Sequence, residues 1–495
     1  MAWVRTAPVL SSTASAGLWS GLLQWSRYGI NALVFVLLTR WLTLAEIGLV
    51  AAAQATFVFV QTLQSAVIPD LMVQERDDPD DHRSTLLLAS VGVGSLVSVI
   101  VIAAVLVVPG IGLDTTVGRY LIAFSPLPVI GGLGNVYEGL LRRRLEMRSL
   151  AVRTLCATAL AGAIAIGLAA SGFGGWAMVW LSLVSGVSST VLAIVAARWA
   201  PTLCWDRDYL RSIRPQAVAL VMGHLLSAAI VPLLSIVVSV RLGATAAGMM
   251  QVAFRVLGLI DAVVVGPLRY LTVPLFARAA HQGRDVGQAV LAAASVGALL
   301  LFPAYAGVIV TAPTLMPLMF GPTTGPAVVT SVQWLLPFGI LSLATWTVNN
   351  ALVATGRAMT VARRNYAFYP LVVVPGVVAA FHSLSATLLI HAVWGGLVGA
   401  LLAAAAAHRH LGLPPGRLVS PLVRPLVCTV VMSVAVWWVG ETAPVRGASL
   451  AVLQAGVGLA VYGSLVVVVA REQVARLLDL VRRRGPSHIS PLSVV

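Results

Sequence analysis

RWLTLAEIGLVAAAQA (residues 40–55) and RLGATAAGMMQVAFR (residues 241–255) read as two copies of one pattern. Each begins at an arginine, crosses a short polar turn and enters an apolar run. One gap aligns Gly48 with Gly248. A second pair lies further on: SPLPVIGG from Ser125 with EGLLRRRLEMR from Glu138, against LPFGILSL from Leu336 with NALVATGRAM from Asn350. Here Pro126 matches Pro337 at an offset of 211 residues. Two copies about 200 residues apart, each rich in apolar runs of helical length, predict a chain built from two similar halves.

The composition says what kind of helices these are. Of 495 residues, 59% are hydrophobic and 10% charged, whereas a soluble domain carries about 25% charge. A spanning helix needs about 20 apolar residues. Apolar runs bounded by charge or by Pro and Gly give fourteen candidate spans: 17–39, 47–69, 85–109, 119–140, 150–171, 176–197, 217–240, 248–268, 287–311, 328–350, 365–381, 384–406, 421–439 and 448–470. The fold class is therefore an all-α integral membrane protein of about 14 transmembrane helices. Two pseudo-symmetric six-helix bundles are followed by a C-terminal helix pair. The divisions fall at 1–205 for the first lobe, 206–415 for the second, 416–470 for the extra pair and 471–495 for an Arg-rich tail.

Charge placement gives the orientation. All 32 basic residues are arginine, against 17 acids. With a cytoplasmic N-terminus, twenty-five arginines fall in cytoplasmic loops and tails and four outside, namely Arg40, Arg119, Arg241 and Arg446. An odd error in the segment count would scramble this alternation, so it predicts an even number of spans with both termini cytoplasmic in a bacterial inner membrane. Trp41, Trp176, Trp199, Trp205, Trp437 and Trp438 lie near segment ends, as an interfacial aromatic belt requires. The tail REQVARLLDLVRRRG from Arg471 reads as an amphipathic helix on anionic membrane lipids, with no role for nucleic acid.

Several chemistries drop out. Without lysine there is no phosphate loop of the Walker type and no Schiff base. Cys156, Cys204 and Cys428 are far apart and form no metal-binding pair. The acidic run QERDDPDDHR, Gln74 to Arg83, reads as a solvated connector. No loop is long enough for a catalytic domain, so the chain reads as a non-enzyme with no cofactor. Its work belongs inside the bilayer.

A charge at bilayer depth costs several kcal/mol unless solvated or paired, so polar residues inside the spans are the candidates. The first segment carries Gln24, Arg27, Tyr28 and Asn31 at i, i+3, i+4 and i+7, one helix face. The second adds Gln54, Gln61 and Gln64, and the eighth adds Gln251, Arg255 and Asp261. Arg27 and Arg255, one from each half, suit a multivalent anion because a guanidinium binds phosphate oxygens bidentately. The substrate-binding set is Arg27, Arg255, Gln24, Asn31, Gln54 and Gln251. Asp261 is the one acid deep in a span and, with Glu138, is a candidate for ion coupling. Arg153, a few residues into the fifth segment, reads as interfacial. Pro126 and Pro128 in the fourth segment and Pro337 in the tenth predict matched interruptions.

With these residues in place the chain resembles the Wzx-type flippases of bacterial surface polysaccharide, within the multidrug/oligosaccharidyl-lipid/polysaccharide (MOP) superfamily. The resemblance is carried by LLTRWLTLAEIGLVAAAQA from Leu37, SGFGGWAMVW from Ser171, RLGATAAGMMQVAFRV from Arg241, MFGPTTGPAVV from Met319 and NALVATGR from Asn350. It implies two six-helix bundles around a cavity that opens alternately to each side. It also implies a cargo of undecaprenyl-diphosphate-linked oligosaccharide moved to the outer leaflet, in company with a polysaccharide polymerase and export machinery. Cationic residues of segments 1, 2 and 8 line the cavity in the lipid-II-type relatives. Arg27 and Arg255 match that pattern, while segment 2 offers glutamines here. Two other functions make different demands on such a chain. A drug or organic-cation antiporter of the same superfamily should favour acidic cavity residues, and a membrane-embedded polymerase, ligase or acyltransferase should carry a large external loop.

Overall fold

The computed structural model describes residues 29–74, 80–108, 112, 115–144, 146–202 and 204–469. Among these the regular structure is helical throughout. Eleven helical stretches are long and apolar enough to cross a membrane. In chain order the elements are α1 (Gly29–Leu38), α2 (Leu44–Gln74), α3 (Asp80–Val107), α4 (Thr116–Phe124), α5 (Leu127–Arg143), α6 (Met147–Ala170), α7 (Trp176–Ala197), α8 (Arg207–Leu242) and α9 (Ala244–Ile260). They continue with α10 (Gly266–His281), α11 (Val286–Leu335), α12 (Pro337–Leu341), α13 (Leu343–Ala354), α14 (Ala358–Ala379), α15 (Leu384–Leu389), α16 (Gly395–Leu411), α17 (Pro415–Thr442) and α18 (Ala448–Val469). Single π-helical turns, Asp261–Val265 and Ile390–Trp394, join α9 to α10 and α15 to α16.

Local chemistry sets the ends. At the start of α2, the Thr43 amide donates to Glu46 Oε2 at 2.8 Å and the Glu46 amide donates to Thr43 Oγ1 at 3.2 Å, a reciprocal cap. Asp206 accepts the amides of Asp208 and Tyr209 to open α8, and Asp285 accepts that of Gly287 to open α11. The fifty-residue α11 is two rods: Gly321, at φ 86°, breaks it in a conformation that suits a residue without Cβ. The interruptions expected from the prolines are present, between α4 and α5 at Ser125–Pro126 and between α11 and α12 at Leu336–Pro337.

By contacts the chain forms two compact units. The first comprises residues up to Ala262 with Met319–Ser331 and Asn365–Leu388; the second comprises Val263–Leu318, Val332–Arg364 and the chain from Leu389. Inside the first unit α2 packs on α5, α8 and α9, and α5 also packs on α3 and α7. Inside the second, α13 packs on α10 and α16. Outward faces are apolar: α3 exposes Val93, Leu96, Val99 and Ile100, and α18 exposes Val452, Leu459 and Val468. Water would penalise such surfaces, whereas acyl chains solvate them. The chain is a multi-pass membrane protein.

The internal repeat extends to individual contacts. In the first unit Gly94 of α3 lies against the Pro128 carbonyl of α5; 211 residues on, Tyr305 of α11 lies against Gly339 of α12, the small and large partners exchanged. Met72 presses on Gly139, and at the matching sites Asn350 Nδ2 donates to Thr272 Oγ1 at 3.0 Å. Gly186 packs on Ile130 as Gly396 packs on Leu341. Arg144 Nη1 donates to the Ala197 carbonyl ending α7 at 2.7 Å, and Arg357 donates to the His410 carbonyl in the last turn of α16. Chance similarity between apolar sequences does not reproduce partner pairs one after another at offsets between 200 and 213 residues.

The strongest such tie is ionic. Glu138 Oε1 accepts from Arg142 Nη2 and its Oε2 accepts from Arg153 Nη2, both at 2.6 Å. Arg153 is only 8% exposed, so this guanidinium is held inside the protein. The counterpart 211 residues later is Asn349, whose Oδ1 accepts from Arg364. One half ties neighbouring helices with a carboxylate and the other with an amide.

Candidate functional site

The site is built on α1 and α9. Gly243, at φ 90°, turns the chain between α8 and α9. Arg255 follows eleven residues after Ala244, about 16 Å along the axis at 1.5 Å per residue, near the middle of a 30 Å hydrocarbon layer. Its side chain is exposed. Among the described residues no carboxylate and no hydrogen-bond acceptor engages it. What it meets is an aromatic face: Arg255 Cζ stands 5.3 Å from the centroid of the Phe35 ring on α1.

Phe35 is itself fixed. It is 7% exposed and meets Phe320 edge-on, with centroids 6.3 Å apart and planes at 75°. Phe320 is 1% exposed and immediately precedes Gly321, where α11 breaks. Two partly exposed polar residues lie one helical turn from the contact: Asn31 on α1, four residues before Phe35, and Gln251 on α9, four before Arg255. Asn31 therefore shares a face of α1 with the ring beneath Arg255.

Magnitudes show what this arrangement lacks. A cation over an aromatic ring gains about 0.5–1 kcal/mol at an exposed site and about 2 kcal/mol when desolvated. Placing an arginine at membrane depth costs several kcal/mol. The ring therefore orients the guanidinium without offsetting its charge. Water or an anion has to do that.

The other sequence candidates fall elsewhere. Gln24 and Arg27 lie outside the described residues. Gln54 donates through Nε2 to Ser182 Oγ of α7 at 3.1 Å, a tie between helices of the first unit. Gln64 donates to the Ser90 carbonyl at 3.2 Å. Glu138 is engaged by its two arginines. Asp261, partly exposed, opens the π-helical turn after α9. It is six residues past Arg255 and on a different face. Neither Phe35 nor Phe320 was singled out from sequence; the one available signal was that Phe35 continues the spacing of Asn31 by four.

Comparison with known proteins fits this picture. The model of a family described as polysaccharide biosynthesis protein matches residues 37–328. The chain belongs to that family. The succinoglycan biosynthesis transport protein ExoT of Rhizobium meliloti (strain 1021) is 24% identical over 481 residues, covering 94% of this chain and 95% of the relative. Among solved structures, the lipid II flippase MurJ in an inward closed conformation superposes with a TM-score of 0.72 at 10% identity, covering 93% of this chain and 99% of that one. An inward-facing multidrug resistance MATE family transporter of the MOP superfamily gives 0.62 at 14% identity, covering 79% and 98%. The fold is thus that of the MOP superfamily, as the sequence resemblance implied. Family and fold point to a transporter and not to an enzyme.

Proposed function

We propose that this polysaccharide biosynthesis family member flips an undecaprenyl-diphosphate-linked oligosaccharide from the cytoplasmic to the outer leaflet of a bacterial inner membrane. In this reading the two six-helix lobes, 1–205 and 206–415, alternate access, α17 and α18 form the extra pair, and both termini are cytoplasmic. The carrying observation is Arg255: an exposed guanidinium partway along an apolar helix, with no carboxylate partner among the described residues and with the Phe35 ring behind it. Such a group seeks a diphosphate. In this proposal Arg27, Gln24, Asn31, Gln251 and Gln54 are the further headgroup-binding residues, and Asp261 or Glu138 is the ion-coupling group. The family's role in polysaccharide synthesis, the relative named for succinoglycan transport and the likeness to a lipid II flippase all support this cargo.

The energetics agree. Moving a negative headgroup outward from a negative-inside cell is favoured by about 2.3 kcal/mol per charge per 100 mV. An organic-cation cargo, which the MATE likeness would allow, meets the wrong sign of charge at Arg255. A polymerase and export machinery are the natural partners downstream. The test is surface polysaccharide output in cells that depend on this chain. Arg255→Ala should abolish output while the protein remains in the membrane at normal level; full output from that variant rejects the site.

A further inference from the structure

We propose that Phe35 is a positioning residue for the transported headgroup: its ring face holds the Arg255 guanidinium so that all its N–H donors stay free for phosphate oxygens. This rests on the reading of Arg255 as the headgroup contact. A guanidinium carries its donors in its plane, pointing outward from the edge. A phenyl ring offers no lone pair to take up those donors, whereas a carboxylate takes the fork and cancels the charge. The same chain shows the other kind of hold. Arg142 and Arg153 donate to Glu138, and Arg143 and Arg144 donate to the carbonyls of Met72 and Ala197. Those arginines are fastened through their donors; Arg255 has no such acceptor among the described residues, and its Cζ stands over the Phe35 ring, 5.3 Å from the centroid.

The brace is rigid where it has to be. Phe35 is buried and cannot swing away, and Phe320 meets it at 75° from a position fixed by the break at Gly321. Among the described residues one other arginine lies over a ring: Arg241 at the end of α8, with Cζ 4.0 Å from the Phe381 centroid. It stands at the end of a span, fourteen residues before Arg255, and so provides an internal control for loss of an aromatic partner.

The experiment is a titration of the full-length protein in lipid nanodiscs with undecaprenyl diphosphate, read by native mass spectrometry. Arg255→Ala should weaken binding tenfold or more. Phe35→Leu, similar in bulk but without a π face, should weaken it about three- to tenfold, while Phe35→Tyr stays within about twofold of the parent. Adding Phe35→Leu to Arg255→Ala should change nothing further, and Phe381→Leu should bind as the parent does. Phe320→Leu, which loosens the brace from behind, should weaken binding about two- to fivefold and serves if Phe35→Leu does not fold. Parent-like binding by Phe35→Leu or Phe320→Leu alongside a loss in Arg255→Ala overturns the positioning role and leaves the Arg255 site standing. The role also falls if Phe35→Tyr loses as much as Phe35→Leu, if Phe35→Leu still weakens binding without Arg255, or if Phe381→Leu weakens it equally. Parent-like binding by Arg255→Ala removes the headgroup site itself, and the role of Phe35 with it.

Discussion

Gly48 and Gly248 each sit against the carbonyl that begins the other's helix. A Cβ on Gly48 would overlap the Ala244 carbonyl, the first of α9, and a Cβ on Gly248 would overlap that of Leu44, the first of α2. The contact is reciprocal: four residues into one helix meets residue one of the other, in both directions. Repeated sequence has here become a local two-fold crossing of backbones, possible because neither helix carries a side chain at the contact.

Filling that crossing should push the helices apart. Gly48→Ala and Gly248→Ala are each expected to destabilise by about 1–3 kcal/mol, the usual range for forcing a methyl group into a packed contact. The double variant should lose less than the sum, because the first methyl already opens space for the second. Thermal unfolding of the four proteins in detergent checks this. Unchanged midpoints in both single variants would show that the helices separate at no cost.

The Glu138 tie gives a second prediction. Glu138→Ala leaves Arg153 buried without its carboxylate, a change expected to cost about 3–5 kcal/mol. Glu138→Gln keeps an acceptor oxygen, as Asn349 does in the other half, and should cost clearly less. Midpoints in the order parent, Gln, Ala support the tie. Equal loss in both variants would mean that charge alone matters there.

For Asp261, removing the charge tests ion coupling. Reconstituted transport by the parent protein should respond to an imposed ion gradient, and Asp261→Asn should transport without that response. An unchanged gradient dependence in Asp261→Asn excludes the coupling role.

Helix ends supply a further case. Arg144→Ala and Arg357→Ala each remove a donor from the carbonyl end of a helix, α7 and α16 respectively. Each should cost about 0.5–1 kcal/mol, and lysine at the same position should recover part of it. Stability equal to the parent in both alanine variants would show that water caps these ends as well as arginine does.

The membrane-spanning helices were legible in the residues because apolar length is dictated by a solvent, the bilayer, that tolerates few exceptions. The repeat was readable at Gly48 with Gly248 and at Pro126 with Pro337, since glycine and proline carry backbone geometry in their identity. Side-chain partners were less so. Arg153 finds Glu138 fifteen residues earlier, across the turn between α5 and α6, a pairing no periodicity announces. Gln54 looked like a cavity residue and is tied to Ser182, because a glutamine on an apolar helix serves a neighbour or a ligand with the same atoms. Phe35 was invisible for the opposite reason: one phenylalanine among apolar neighbours looks like packing, and its use of a ring face shows only when the opposing cation is in place.

The capping arginines carry one more implication. Positive charge near segment ends is usually regarded as an address, read once while the chain is being threaded into the bilayer. In this protein Arg143, Arg144 and Arg357 remain at work afterwards as the plugs on helix ends. Orientation and mechanical integrity are thus written in the same letters. Shifting those charges to the other side of the membrane would also loosen the helix ends they cap.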